Sequence, residues 1–521
     1  LPGWNMKFDL SSLFGKKTKR TPAGDNGAPD EVPDPTPLIL TLPPADPTVD
    51  MVDRYWLVPP FSYANIFRRD PITLQYEIVE PRITSKELVV LEETFEQLRA
   101  TLIYDTARKR GELGLDTDLI KKVIRSFYPE IADDRMELLV YYLRRNFLGY
   151  GKLDPLMNDD RIEDITCNGP GLPVFLYHRR YASIQTNCTF DGEDLNKFVL
   201  KLAQKADKQL SLSTPLIDAS LPEGSRAQIT YSDIVSSRGS SFTIRKFRAE
   251  PMTPVSLIEN DTYDADLMAH IWLAVENRKS MVISGGTASG KTSTMNAISF
   301  FIPPVAKIVS IEDTREIQLP HVNWLPMRTR ESANVSGTGN VGMFHLLKAA
   351  LRQRPEYIIV GEVRGEEAQT LFQAMNTGHT TYSTVHAGNV QETVNRLTHE
   401  PINVPVAMFN ALDLILVQSL LYDGGRGFRR CLSLNEIRVV DDEIRWEPLF
   451  TWDHRTDRFV RVYERSSVLD EIAYRNGWSN EQLEAAITVR RDALVDTVQR
   501  GASTSSMVGQ MIQEMMVQEQ Q

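Results

Sequence analysis

Eight consecutive residues, Gly285-Gly286-Thr287-Ala288-Ser289-Gly290-Lys291-Thr292, satisfy every fixed position of the pattern G-x-x-x-x-G-K-[ST]. The chemistry that this spacing serves is the holding of phosphate. Glycines at the turn let backbone N–H groups converge on phosphate oxygens, and a helix starting at the loop adds its N-terminal dipole. Lys291 is placed to reach the β- and γ-phosphates of ATP, and the Thr292 hydroxyl to hold Mg²⁺. The flanks agree. Met281-Val282-Ile283 reads as a short buried strand, and Ser293-Thr294-Met295-Asn296-Ala297-Ile298 can continue a helix. The nucleotide cradle is therefore expected from Gly285 to Ser293.

Three more apolar runs end in residues that can do chemistry. Ile308-Val309-Ser310-Ile311 leads into Glu312-Asp313-Thr314-Arg315-Glu316. Tyr357-Ile358-Ile359-Val360 ends at Gly361-Glu362-Val363-Arg364, and Thr380–Val385 ends at His386. Strands separated by helices form a parallel sheet whose ligands sit outside the carboxyl ends of the strands. Glu312, Glu362 and His386 are thus expected beside Lys291. Phosphoryl transfer to water needs a carboxylate to orient the water, an acid near Mg²⁺ and cations around the γ-phosphate. Glu362 suits the metal-side or water-orienting position, while Glu312 and Glu316 compete for the general base. His379 and His386 are candidates to sense the γ-phosphate. Each has a plainer reading: a strand-end carboxylate can be a helix cap, and a single histidine a satisfied core residue.

The elements that must carry these groups follow from periodicity. Residues 260–450 alternate strand and helix and are read as an α/β ATPase domain with a parallel sheet flanked by helices. Residues 149–249 hold short strand-like runs, Ile162–Thr166, Val174–Tyr177, Ile184–Thr186, Ala227–Tyr231 and Phe242–Phe247, broken by a helix near 193–207. That is an α+β (PAS-like) domain. Its cations Arg226, Arg238, Arg245 and Lys246 are either a solvated edge or groups leaning over a nucleotide as an arginine finger does. The prolines of Glu250–Val255 mark a linker over 250–259. Upstream, 51–148 reads as a small sheet followed by a helical N-terminal domain, with helices near 85–112 and 115–148. Residues 1–50 read as a disordered, proline-rich tail. After 450 come a charged helical segment at 465–500 and a polar end, either an interaction tail or a frayed helix.

Composition narrows the class. The 521 residues suggest about three domains, with 42% hydrophobic and 24% charged residues as in ordinary soluble proteins. A net charge of −11 argues against broad nucleic-acid binding. Cys167, Cys188 and Cys431 are far apart, without a C-x-x-C pair, so neither a disulfide framework nor a cysteine-ligated zinc site is expected. The most apolar run, Ala411–Leu421, is about half the ~20 residues of a membrane span and contains Asp413 and Gln418. A cytoplasmic protein is the default reading.

Four motifs in order carry a resemblance. Gly-Gly-Thr-Ala-Ser-Gly-Lys-Thr, Ile-Glu-Asp-Thr-Arg-Glu-Ile, Leu-Arg-Gln-Arg-Pro-Glu-Tyr-Ile-Ile-Val-Gly-Glu-Val-Arg and Thr-Gly-His…Thr-Val-His-Ala resemble the Walker A, aspartate-box, atypical Walker B and histidine-box motifs of the secretion and type IV pilus assembly ATPase superfamily. Pro215–Arg226 and Ser240–Phe247 are similar to that family's preceding domain. The likeness covers about residues 140–440 and looks closest to the archaeal branch, which serves the archaellum and archaeal pili or secretion. It implies a RecA-like ATPase domain and a homo-hexamer with ATP between two lobes. It also implies a motor acting on a polytopic membrane platform protein, peripheral at the inner face of the membrane through that partner. By motif, Lys291 and Thr292 bind phosphate and Mg²⁺, and Glu312 and Glu362 are the catalytic and metal-side carboxylates. His379 and His386 form the histidine box. Arg226, Arg245, Arg352 and Arg354 are candidates to complete sites within or between subunits. The alternatives are a ring ATPase of conjugative transfer or pilus retraction, a nucleic-acid motor of recombinase or helicase type, and a non-hydrolysing switch.

Overall fold

The computed structural model describes residue 38 and residues 41–105, 117–247, 250–330, 339–423 and 426–519. Most of the tail expected over 1–50 lies outside them. The chain divides into two compact units, Leu1–Phe247 and Arg248–Gln521.

The first unit is built on one nine-stranded sheet. Its strands are β1 (Met51–Val58), β2 (Ser62–Arg68), β3 (Leu74–Val79), β4 (Ile162–Cys167), β5 (Pro173–His178), β6 (Ala182–Thr189), β7 (Leu216–Ser220), β8 (Arg226–Thr230) and β9 (Ser241–Arg245). They lie in the order β1-β2-β3-β6-β5-β4-β9-β8-β7. β3 meets β6 in parallel at Gln75↔Gln185 and Tyr76↔Thr186. This differs from the division at 148/149 expected from sequence. A three-stranded sheet alone would leave a long unpaired edge, and pairing with β6 removes it. The Tyr55 and Tyr76 hydroxyls strengthen the junction, each donating to Asp159 Oδ2 at 2.7 Å. The helices Ser85–Asp105, Thr117–Phe127 and Asp133–Phe147 keep a separate core of Leu91, Leu98, Ile120, Ile124 and Leu139. The helix expected over 115–148 is two helices because Pro129 disfavours helical geometry at Tyr128.

The second unit holds another nine-stranded sheet. Its strands are β10 (Met281–Gly285), β11 (Ile308–Glu312), β12 (Trp324–Arg328), β13 (Tyr357–Val360), β14 (Thr380–Val385), β15 (Leu414–Asp423), β16 (Arg426–Val440), β17 (Glu443–Asp453) and β18 (Arg458–Arg461). The order is β12-β11-β13-β14-β10-β15-β16-β17-β18. The first six in that order run parallel, and β16 to β18 extend the sheet antiparallel. The continuous apolar runs have a direct cause: both faces are covered, so successive side chains feed two cores. Met281, Ile283, Ile308, Tyr357, Ile359, Leu414 and Leu416 enter one. Val282, Val309, Ile358, Val360, Ile415 and Val417 enter the other. This is the expected α/β, RecA-like arrangement with the phosphate-loop strand in the middle.

Both ends of this unit depart from expectation. Within the expected linker, Pro254–Glu259 is a helix capped by Thr253, whose side chain accepts from Ser256 N. Pro254 opens that helix, a position where its missing N–H has no intrahelical partner to lose. At the C-terminus the helices Ser467–Asn476, Asn480–Gln499 and Ser505–Glu519 pack onto the first core through Leu469, Ile472, Leu483, Leu494, Val508, Ile512 and Met516. The polar end is therefore neither a free tail nor a frayed helix. Val508, Ile512 and Met516 recur every fourth residue and put one apolar stripe inside. Ile512→Ala should cost about 2–5 kcal/mol, read as a fall in the urea midpoint of the full chain. No helix among the described residues is long and apolar enough to cross a membrane.

A candidate phosphate-binding active site

The loop leaves β10 at Gly285 and enters the helix Lys291–Ser299. It closes through two non-standard backbone positions, Ala288 at φ +59° and Gly290 at φ +92°. The left-handed Gly290 lets the chain turn into the helix without a side chain in the way. Ser289 Oγ donates to Gly286 O at 2.9 Å. Lys291 Nζ donates to the carbonyls of Gly285 at 2.9 Å and Gly286 at 2.8 Å, so its cation lies folded back along the loop. Thr292 is half-buried in the first helical turn, and Ser293 is exposed. At Gly286 the space beside Cα is open.

Strand register brings the other groups to the same sheet edge. β14 pairs with β10 through Ser284↔Val385, so His386 emerges beside the loop. Its Nε2 lies 2.8 Å from Thr287 Oγ1. β13 lies next, with Val360↔Ser383, and Thr384 Oγ1 donates to Gly361 O at 2.7 Å. β11 follows, with Ile311↔Val360 and Gly361 N donating to Ile311 O at 2.9 Å. A Cβ at Gly361 would sit 3.4 Å from Glu312 Cγ, which places Glu312 against the residue preceding Glu362. Three strand spacings put Glu312 ~14 Å across the edge from the loop backbone. Gln318 N donates to Asn296 Oδ1 at 2.8 Å, tying the segment after Glu312 back to the phosphate-loop helix.

The two carboxylates differ in environment. Glu362 keeps 25% of its side chain exposed and pairs with Arg364 at 2.5 Å. Glu312 is only 2% exposed. Its Oε1 accepts from Glu316 N at 2.9 Å and Ile317 N at 3.0 Å. Its Oε2 is buried with no hydrogen-bond partner among the described residues. Burial pushes the carboxyl up from 4.5 to about 7, against the opposing pull of those two backbone N–H groups. Glu312 therefore carries an enclosed carboxyl oxygen, unpartnered among the described residues, on a group that takes up its proton near neutrality. Glu316 is exposed and gives its backbone N–H to Glu312.

Several expected groups lie elsewhere. His379 precedes β14 and His386 follows it, so the six-residue strand separates them by ~20 Å. The expectation that both histidines sense the same phosphate is corrected accordingly. His379 Nδ1 lies 3.3 Å from Ala374 O, at the end of the helix Glu367–Asn376. Arg352 and Arg354 are exposed before β13, also at the end away from the loop, which removes them from their own subunit's phosphates. Arg226 and Arg245 belong to the first unit, where they face each other in the β8–β9 register. Arg226 forks onto Asp218 through Nε at 2.9 and 3.0 Å. Lys246 points inward to the carbonyls of Leu156 and Asp159, and burial lowers its ammonium to about 8. It is a buried tie rather than a cation leaning over a ligand.

Two residues of the site escaped sequence reasoning. Gln418, 1% exposed on β15, has its carbonyl oxygen 2.5 Å from where a Cβ at Gly285 would lie. Arg429, on β16, donates from Nε to Ala288 O at 2.9 Å. A signal existed for the first: Gln418 is a polar interruption in the most apolar run of the chain.

Fold and site together define a phosphate-loop protein with a parallel central sheet. The sequence profile of the family described as Type II/IV secretion system protein matches residues 199–451. Type IV secretion system protein PtlH of Bordetella pertussis is 32% identical over 295 residues, covering 52% of this chain and 83% of that protein. The uncharacterized protein MJ0900 of Methanocaldococcus jannaschii is 37% identical over 412 residues, 76% of this chain and 74% of its own length. The crystal structure of the VirB11 ATPase from the Brucella suis type IV secretion system in complex with sulphate aligns at 25% identity, over 54% of this chain and 94% of that one, with a TM-score of 0.29. The chain belongs to the type II/IV secretion system protein family, and its likeness to a Methanocaldococcus protein accords with the archaeal branch.

Proposed function

We propose that this chain is an ATPase that hydrolyses Mg-ATP and works as a homo-hexameric motor. It would power assembly or secretion of pilin-like subunits through a polytopic membrane platform protein, at the inner face of the membrane. The observation that carries the catalytic part is Glu312, a buried carboxyl with an unpartnered oxygen on the edge that bears Gly285–Ser293. In this reading Glu312 accepts the proton of the attacking water, and His386, already on Thr287, follows the γ-phosphate. Lys291 releases the loop carbonyls to meet the phosphates. By the resemblance, Arg245 and Arg226 are carried as candidates to complete a nucleotide site. Family membership supports the secretion role, and oligomer and platform follow from the resemblance.

The donor set fits Mg²⁺. The Thr292 hydroxyl and Glu362 carboxylate are hard oxygen donors of the kind that hold Mg²⁺. Bound there, Mg²⁺ would neutralise phosphate charge. The testing experiment compares ATPase rates of the wild type and Glu362→Gln, alone, with DNA and with anionic lipid vesicles, alongside light scattering with nucleotide. Slow basal hydrolysis that falls at least ~100-fold in the variant, ignores DNA and accompanies hexamers is expected. Strong DNA stimulation, or a monomer turning over at full rate, would overturn the reading.

A further inference from the structure

β15 and β16 do more than extend the sheet, because one residue on each touches the phosphate loop from behind. Gln418 braces it at three points. Its backbone oxygen packs where a Cβ at Gly285 would come within 2.5 Å, its Nε2 lies 3.2 Å from the Cβ position of Gly290, and its Oε1 accepts from Thr294 Oγ1 at 2.7 Å. These are the entry of the loop, its exit and the first turn of its helix. Thr294 is held from the other side by the Tyr263 hydroxyl at 3.3 Å. A carboxamide that is 1% exposed is costly to bury, and the hydrogen bond it accepts from Thr294 offsets part of that cost.

Arg429 acts on the middle of the loop. β15–β16 register sets Leu420↔Arg429 opposite each other, two positions beyond Gln418. From there the Nε donor fixes the Ala288 carbonyl toward β16. In a trans peptide the C=O and the following N–H point in opposite directions. Holding the Ala288 oxygen outward therefore turns the Ser289 N–H inward, where it makes a long 3.5 Å contact with Gly286 O. That N–H is one of the donors a bound phosphate would meet.

We propose that Gln418 and Arg429 are positioning residues for nucleotide phosphates, holding the loop open in the shape its N–H donors need. The proposal rests on the reading of Gly285–Ser293 as the nucleotide cradle. The groups have no contact with the reacting atoms, so their removal weakens binding of ADP and ATP alike. The test is fluorescence titration with an N-methylanthraniloyl-labelled ADP in the presence of Mg²⁺ on full-length protein. The variants are Gln418→Leu, Arg429→Ala, Arg429→Lys and Lys291→Ala, each with its Tm and steady-state ATPase kinetics.

Kd is expected to rise at least tenfold in Gln418→Leu and Arg429→Ala, with KM rising more than kcat falls. Arg429→Lys, which keeps a donor within reach of Ala288 O, should recover to within about threefold of wild type. If Lys291→Ala loses binding while Gln418→Leu and Arg429→Ala bind as wild type, the positioning role is overturned and the cradle stands. If Arg429→Lys falls as far as Arg429→Ala with the same loss of Tm, Arg429 is a packing residue and its part of the proposal fails. If Lys291→Ala binds as wild type, the cradle itself is misread, and the proposal falls with it.

Discussion

Glu312→Gln should lower ATP hydrolysis at least ~100-fold while nucleotide affinity stays within a few-fold of wild type. A positioned general base contributes ~10²–10⁴-fold, and a carboxamide of the same shape keeps the Oε1 acceptor used by Glu316 N and Ile317 N. The pH dependence adds a second readout. With its carboxyl pushed up to about 7, Glu312 in the wild type reaches its basic form only as pH rises through that value, so kcat should climb across neutrality. The same shift affects stability with a definite sign. Below pH 4.5, the group's usual value, folded and unfolded chains are both protonated and the group costs nothing. Between 4.5 and about 7 the unfolded chain loses the proton first, so stability falls as pH rises. Above about 7 the cost is fully present. Glu312→Gln removes it, so the Tm of the variant minus that of wild type should increase from pH 5 to pH 8. A flat difference, with wild-type turnover, would remove Glu312 from the catalytic role.

Gly285→Ala should abolish measurable nucleotide binding and lower Tm. The usual account of the first glycine in such a loop is the space that phosphate needs. Here the obstacle is internal. An added Cβ would lie 2.4 Å from Ser289 Oγ and 2.5 Å from Gln418 O. The hydroxyl can rotate away, but the backbone oxygen of a central strand cannot move without breaking β10–β15 pairing. Gly286→Ala is the internal control, since a Cβ there meets nothing within 4 Å. It should fold as wild type. Equal Tm for Gly285→Ala and wild type would contradict the crowding at Gln418.

Much of this site is legible in the sequence because the relevant constraints are local. Every fixed position of the phosphate loop lies within eight residues. The strands that bring Glu312, Glu362 and His386 alongside announce themselves as unbroken apolar runs because both faces are covered. The separation of His379 from His386 was readable too. Thr380–Val385 reads as a strand, and a strand between two residues puts them at opposite ends; grouping them by motif ignores that length. Other features have no local signature. The parallel pairing of β3 with β6 joins residues more than a hundred positions apart, and nothing in Gln75 or Tyr76 names its partner. Arg429 reaches Ala288 only through the register of a hairpin, which neither sequence neighbourhood encodes. The helices within 465–500 were legible, but the last one, Ser505–Glu519, was not, because Val508, Ile512 and Met516 are diluted by glutamine and a narrow apolar stripe looks polar on average.

The stretch shared with the family, residues 199–451, begins inside the helix Gly192–Lys205 and ends inside β17. Neither limit is a place where a chain could stop. A protein trimmed to the shared stretch would lose Leu483, Leu494, Val508 and Ile512 from the core beneath β10 and expose the faces they cover. The C-terminal helices thus belong to the folding unit of the phosphate loop although they lie outside the stretch the family profile matches.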